Sequence, residues 1–527
     1  MSSPAEGHQG PSGDPGAPSP PVTRRRLLTV GAAAAAAPVL GAVAARTAGA
    51  QPPRRRGSAP FPGGGAEGRL DPTAEWRDPV LRLVRRITMG LNPDEVALAR
   101  RLGYAGYLNH HLNVAAIDDS AVEALVAARL PLTQATPASL ASTPQADRNE
   151  IDSQLADASW YRAAFSRAQL RERLVEFWTD HFTISITKVG YLKLVDDRDV
   201  IRPNALGSFP ALLRATAHSG AMLVYLDQNR SAVPTPNQNY AREIMELHTL
   251  GVDGGYSQGD VAELSRILTG WSTTGPGTFS FNRNIHDRNA KTFLGRSFPA
   301  MAATAATDAM KGEGDIAIQM LVEHPSTARY VSWKLARWLL AYDPPEAVVA
   351  ASAAAYLATG GSIAAMVRVI LASSALAAAP AKYKRPFHLA ISALRGLGMD
   401  ASTVANIRAV RTTADGMGMP LFRWEQPNGY PDYVEWWSGL VMTRWSYVQY
   451  LAGLTSTTVA RTDTARFRSP DTADGVVAQI GARLYGGELP TRLRAQLLAY
   501  LRGGTYSDTR VRETLALAMG AQEFQWY

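Results

Sequence analysis

Two carboxylates three residues apart, Glu243 and Glu246, stand in the segment 239–250, with His248 two positions further on. On a helix, a spacing of three or four puts side chains on one face, and a spacing of two does not. Glu243 and Glu246 can therefore share a site while His248 points about 200° away at 3.6 residues per turn. Adjoining carboxylates can divide the roles of acid and base, or hold a divalent cation. The same spacing has a plainer use, because Arg242 and Glu246 are four apart and can form an ion pair. A second constellation is His286-Asp287 followed by Lys291, in a loop rich in Asn and Arg. A loop histidine beside a carboxylate can be a metal ligand or a general base, and the alternative is an exposed loop of no consequence. His181 closes the segment 168–182, at the helix end where the dipole favours a cation. That segment also carries Glu172, Glu176 and Asp180 at steps of four, and Arg171 and Arg173 beside them favour a solvated face. Together these give a candidate catalytic set of Glu243, Glu246, His286, Asp287 and Lys291. The candidate ligands for a divalent metal are His181, Glu246, His286 and Asp287.

Other chemistries are disfavoured. There are no cysteines among the 527 residues, which excludes disulfides, thiolate metal sites, iron–sulfur clusters and cysteine nucleophiles. No His-Glu-x-x-His or P-loop is present. The segment 253–260 offers oxygen ligands, but its spacing does not match a calcium-binding EF-hand loop, and Asp260 reads more simply as part of a helix N-cap. The aromatic cluster Trp424, Tyr430, Tyr433, Trp436 and Trp437 could line a carbohydrate cleft or anchor a loop to the core.

The elements that must position these residues are mostly helices. Val80, Leu81, Val84 and Ile87 have helical spacing, and Asn92-Pro93-Asp94-Glu95 reads as a capped helix start. Helical segments are expected at 168–182, 205–217, 239–250, 258–271, 314–323 and 326–342, and again at 345–358, 362–375, 385–397, 438–454 and 510–521. Only Thr183 to Lys188 and Thr278 to Phe281 suggest short strands. The expected fold is mainly α: one large helical domain over 71–527, with long functional loops and little β structure.

The first fifty residues read as an export signal. Thr23-Arg24-Arg25-Arg26-Leu27-Leu28 precedes an Ala-rich apolar stretch and the small residues Ala48-Gly49-Ala50, after which cleavage is expected. The paired arginines before two leucines point to the twin-arginine export machinery. Residues 51–70 are a Pro/Gly/Arg linker. The apolar run is shorter than the roughly 20 residues a membrane-crossing helix needs, and no later uncharged apolar run is long enough, so no permanent membrane span is expected. The net charge of +8 is modest for this length, and no nucleic-acid module is present.

Several blocks recur in a known order: Phe177-Trp178-Thr179-Asp180-His181-Phe182, Asn239-Tyr240-Ala241-Arg242-Glu243 continuing to Gly251, Leu268-Thr269-Gly270-Trp271, His286-Asp287, Lys382-Tyr383-Lys384-Arg385-Pro386 and Gln426-Pro427-Asn428-Gly429-Tyr430-Pro431. Over roughly 75–525 the chain resembles the bacterial family catalogued as domain of unknown function 1800. The resemblance implies an exported, helix-rich protein of the cell envelope and assigns no reaction. The expectation is therefore an exported envelope or extracellular protein. It could be a hydrolase acting on a polysaccharide or other envelope polymer, or a non-catalytic protein that binds such a polymer or a partner.

Overall fold

A computed structural model describes residues 72–527; the expected export signal and linker lie outside the described residues. Helix starts follow the local chemistry of the sequence. Asn92 caps the helix Pro93–Leu112 by accepting from the Glu95 N–H at 2.8 Å, with Pro93 at the first position, where no N–H is needed. Ser257 and Asp260 form a capping box at the head of Gln258–Ile267, which settles the role of Asp260. The expected helix 205–217 starts later, at Phe209, because Ser208 caps it and Pro210 stands in its first turn.

The protein is mainly α. Among the described residues the named strands are four of three residues each, in two antiparallel hairpins. Trp271–Thr273 pairs with Phe279–Phe281, and Lys291–Phe293 pairs with Arg296–Phe298. The segment Thr183 to Lys188 is not a strand. It leads into the one-turn helix Ile186–Val189, whose first N–H donates to the Phe422 carbonyl at 2.8 Å.

Two large apolar clusters make the core. One gathers Leu174, Trp178, Phe209, Ile244, Leu264 and Leu335, and the other gathers Trp160, Leu389, Leu394, Tyr447, Ile480 and Leu515. The helix Pro386–Gly396 is buried along its whole length. The helix Gln169–His181 buries Leu174, Phe177 and Trp178 in the first cluster. Among the described residues no helix is long and apolar enough to cross a membrane.

Candidate functional site

Glu243 closes the helix Gln238–Glu243, and the chain continues without a break into a wider π-turn, Ile244–Thr249. The extra residue leaves the Leu250 N–H bonded to Met245 O at 2.8 Å, and the Thr249 hydroxyl donates to Ile244 O at 2.6 Å. Such π-turns are often found at functional sites. Gly251 ends the turn with a φ of +81°, and a Cβ there would come within 2.7 Å of the Tyr330 ring. Tyr240, Ala241, Ile244 and Met245 face the core, which leaves Glu243 and Glu246 half-buried on the other side.

The anticipated Arg242–Glu246 pair does not form. Arg242 turns instead to Gln258 Oε1 at 3.0 Å, and Gln258 in turn donates to Gln238. Neither the Glu243 nor the Glu246 carboxylate has a hydrogen bond or ion pair to the side chain or backbone of a described residue. Burial, then the charge of Glu246, pushes the Glu243 carboxyl up to about 7, against the smaller pull of Arg242. Tyr225, Tyr256 and Tyr330 stand close enough for these two carboxylates to act on their hydroxyls, all three of which are raised mainly by burial. One carboxyl that keeps its proton near neutrality, beside a second carboxyl and half open to solvent, is an arrangement suited to acid–base work.

His286, Asp287 and Lys291 do something else. The His286 Nδ1–H donates to Thr269 O at 2.8 Å, and its Nε2 lies 3.3 Å from Glu313. Lys291 Nζ meets the same Glu313 oxygen at 2.6 Å. Asp287 accepts from Arg266 Nε at 2.7 Å and from the Asn289 N–H at 2.9 Å. Burial pushes the Asp287 carboxyl up, but these donors outweigh it and hold it below the usual range. All three residues are buried, as is Glu313. They tie the 283–298 segment to the helices Gln258–Ile267 and Thr307–Glu323. The expectation of an open polar loop is thus corrected: its charges are paired inside the fold. Glu313 had no signal of its own in the sequence, because it lies in a helix 22 residues beyond Lys291.

His181 is also buried, with its Nε2–H donating to the His248 carbonyl at 3.0 Å and its ring among Phe177, Phe182 and Tyr330. Burial first, then the charge of Lys334, holds it well below the usual histidine range, so it is neutral rather than the cation that a helix end favours. His248 is pushed down to about 3 for the same reasons. Among the described residues no three His, Asp or Glu side chains stand close enough to hold a metal ion. The proposed ligand set His181, Glu246, His286 and Asp287 is accordingly not assembled: His286 and Asp287 are occupied by Glu313 and Arg266, and His181 is packed among rings.

The carboxylate stripe on Gln169–His181 is not a solvated face either. Glu172 pairs with Arg202 at 3.0 Å and with Arg171 at 3.3 Å. Glu176 pairs with Arg173 at 2.9 Å and with Arg385, which also holds Asp180 at 2.6 Å. Burial nevertheless leaves the Asp180 carboxyl above its ordinary value, the pairing with Arg385 notwithstanding. The stripe forms one wall of a cleft with about 590 Å³ of empty space, part of it open to solvent, roofed by the loop 420–431. Gly429 (φ +76°) lays that loop on the helix end, where a Cβ would come within 2.4 Å of Asp180 O. Of the aromatic cluster, Tyr430 and Trp437 are buried anchors, bonded to Pro420 O at 2.6 Å and Pro431 O at 2.7 Å. Tyr433 and Trp436 are exposed, and Trp424 lines the cleft. The family blocks thus meet in space: Arg385 and Gly429 both close on the helix that ends in Asp180 and His181.

Comparison with curated proteins and with solved structures gives no match. A family model does match, over residues 82–526, which include Glu243, Glu246, the cleft and the buried ties. The chain belongs to the family described as protein of unknown function DUF1800.

Proposed function

We propose that this protein is an exported hydrolase of an envelope or extracellular polymer, with Glu243 as proton donor and Glu246 as base. The reading rests on one observation: two adjacent, half-buried carboxyls with no cation bonded to either, of which Glu243 keeps its proton to about pH 7. In the reaction, Glu243 gives its proton to the leaving oxygen of the scissile bond. Glu246 takes a proton from the attacking water as the new bond to oxygen forms. The two carboxyls exchange protonation states, and solvent resets them. Export rests on the N-terminal arginines and Ala-rich stretch, and the polymer on the compartment they imply.

The test is release of new reducing ends from a panel of envelope polysaccharides by the full-length protein. Glu243→Gln and Glu246→Gln should each lower the rate by about 10²–10⁴-fold, the usual contribution of general acid or base catalysis. The wild-type rate should fall as pH rises through about 7, where Glu243 loses its proton. No release from any polymer, or a fully active Glu243→Gln, would overturn the assignment. A second reading, polymer binding without turnover, draws on the exposed rings of Tyr433 and Trp436. It predicts that the protein binds the panel and releases nothing.

A further inference from the structure

The cleft under the 420–431 loop is lined by other residues than the Glu243–Glu246 pair. Two features of it call for a ligand. The first is an unsatisfied wall. Asp197 is 1 % exposed, and its Oδ2 pairs with Arg202 at 2.9 Å, yet its Oδ1 has no hydrogen-bond partner. The Thr179 hydroxyl, on the same lining, has none either. A buried polar group left unpaired is costly, and more so when it is charged. The second is a prepared roof. Trp424 is half-buried with its indole N–H fixed on Asn428 Oδ1 at 2.9 Å, and its ring lies 5.0 Å from that of Tyr430. Phe422 holds a φ of +63°, a left-handed conformation that a bulky residue adopts at a cost, and such strain gathers at ligand clamps.

Charge decides the class of ligand. The lining carries Glu172, Glu176, Asp180 and Asp197, which taken alone would ask for a cation. Each is already met by an arginine: Glu172 and Asp197 by Arg202, Glu176 and Asp180 by Arg385, with Arg171 and Arg173 adding to these. What remains unpaired on the lining is Asp197 Oδ1 and the Thr179 hydroxyl, and the aromatic ring of Trp424 belongs to the same lining. A neutral molecule with several hydroxyl donors and an apolar ring face answers both. We propose that this cleft is a subsite for one neutral sugar ring of a saccharide, stacked on Trp424, with its hydroxyls bonded to Asp197 Oδ1 and Thr179 Oγ1. The proposal deepens the polymer reading above, on which it rests for its setting, by naming a neutral saccharide as the substrate class.

The experiment reads binding, without turnover. Tryptophan fluorescence and calorimetry of the full-length protein are followed with cellopentaose and chitopentaose as neutral probes. A chitosan pentamer serves as the cationic arm and a pentagalacturonate as the anionic one. At least one neutral probe should bind. Trp424→Ala, at the half-exposed roof, should weaken it at least tenfold, and Trp424→Phe should restore part of the loss. Asp197→Asn, which trades an acceptor for a donor, should also weaken it; because that change touches the Arg202 pair, Thr179→Val gives an independent check in the same direction. Binding of a neutral probe without any turnover by the parent would sink the hydrolase and keep the subsite, and turnover that persists in Trp424→Ala with unchanged affinity would do the reverse. No neutral probe bound, charged probes alone bound, or equal affinity in Trp424→Ala would each overturn the subsite.

Discussion

Glu243 shows what one residue's surroundings add to its type. Burial and the Glu246 charge lift its carboxyl from 4.5 to about 7. Between those two values the folded protein binds a proton that the unfolded chain has released. Stability therefore falls as pH rises from about 4.5 to about 7 and changes no further above that. Glu243→Gln cannot ionise and escapes the penalty. Thermal melts at a series of pH values should show the variant losing less than the parent over that window and standing above it beyond pH 7. Parallel curves would mean that Glu243 is an ordinary exposed carboxylate. The spacing of Glu243 and Glu246 was legible in the sequence, and so was their shared face. The retained proton was not, because it depends first on how far the fold buries Glu243 and then on the Glu246 charge, left unpaired as Arg242 turns to Gln258, a partner 16 residues away. The neutral state of His181 was hidden for a similar reason: a helix end favours its cation, and only the packing of Phe177, Phe182 and Tyr330 around the ring shows how fully water is excluded.

At the scale of elements, many helices were readable from periodicity and caps, though Arg148–Phe165 was not, and of the short strands only Phe279–Phe281 was. Lys291–Phe293 and Arg296–Phe298 are three residues each, too short for alternation to stand out, and their hairpin is held by side chains from elsewhere. The Thr292 N–H donates to Glu263 at 2.9 Å, the Leu294 N–H donates to Asp260 at 2.9 Å, and Lys291 reaches Glu313. A run of polar residues that looked functional is thus a set of ties between a hairpin and two helices. Glu313→Gln puts this to the test. The substitution keeps the shape but leaves the buried Lys291 ammonium without its counter-charge, with His286 beside it. Breaking a buried pair in this way costs about 3–5 kcal/mol. Urea unfolding should show the extrapolated stability lowered by that amount through a lower midpoint, with little change in slope. A shift under about 1 kcal/mol, the worth of a surface pair, would place this cluster in water rather than in the core.

The whole molecule is joined across its two apolar clusters by buried arginines. Arg385 stands at the head of the helix Pro386–Gly396 and reaches Glu176 and Asp180 on Gln169–His181, while its guanidinium lies 4.4 Å from the Trp338 ring. Arg395, at the other end of the same helix, donates to Gly90 O at 2.8 Å and Ala164 O at 2.9 Å and meets Glu95 at 3.3 Å. These contacts span hundreds of residues of sequence, so no local pattern could announce them. A stripe of carboxylates flanked by its own arginines reads as a surface when the third arginine comes from a block 205 residues away. Removing that arginine leaves two carboxylates buried without it, and the penalty acts on their charged forms alone. Arg385→Met, which keeps the side-chain length, should therefore cost about 3–5 kcal/mol at neutral pH. In the variant Asp180 loses its cation while burial, which already holds its carboxyl above the ordinary value, stays, so protonation relieves the penalty. The stability gap between parent and variant should narrow as pH falls from 7 toward the ordinary carboxylate range, as read by urea midpoints at each pH. A gap that stays constant would mean that Arg385 acts through its packing on Trp338 and not through Glu176 and Asp180.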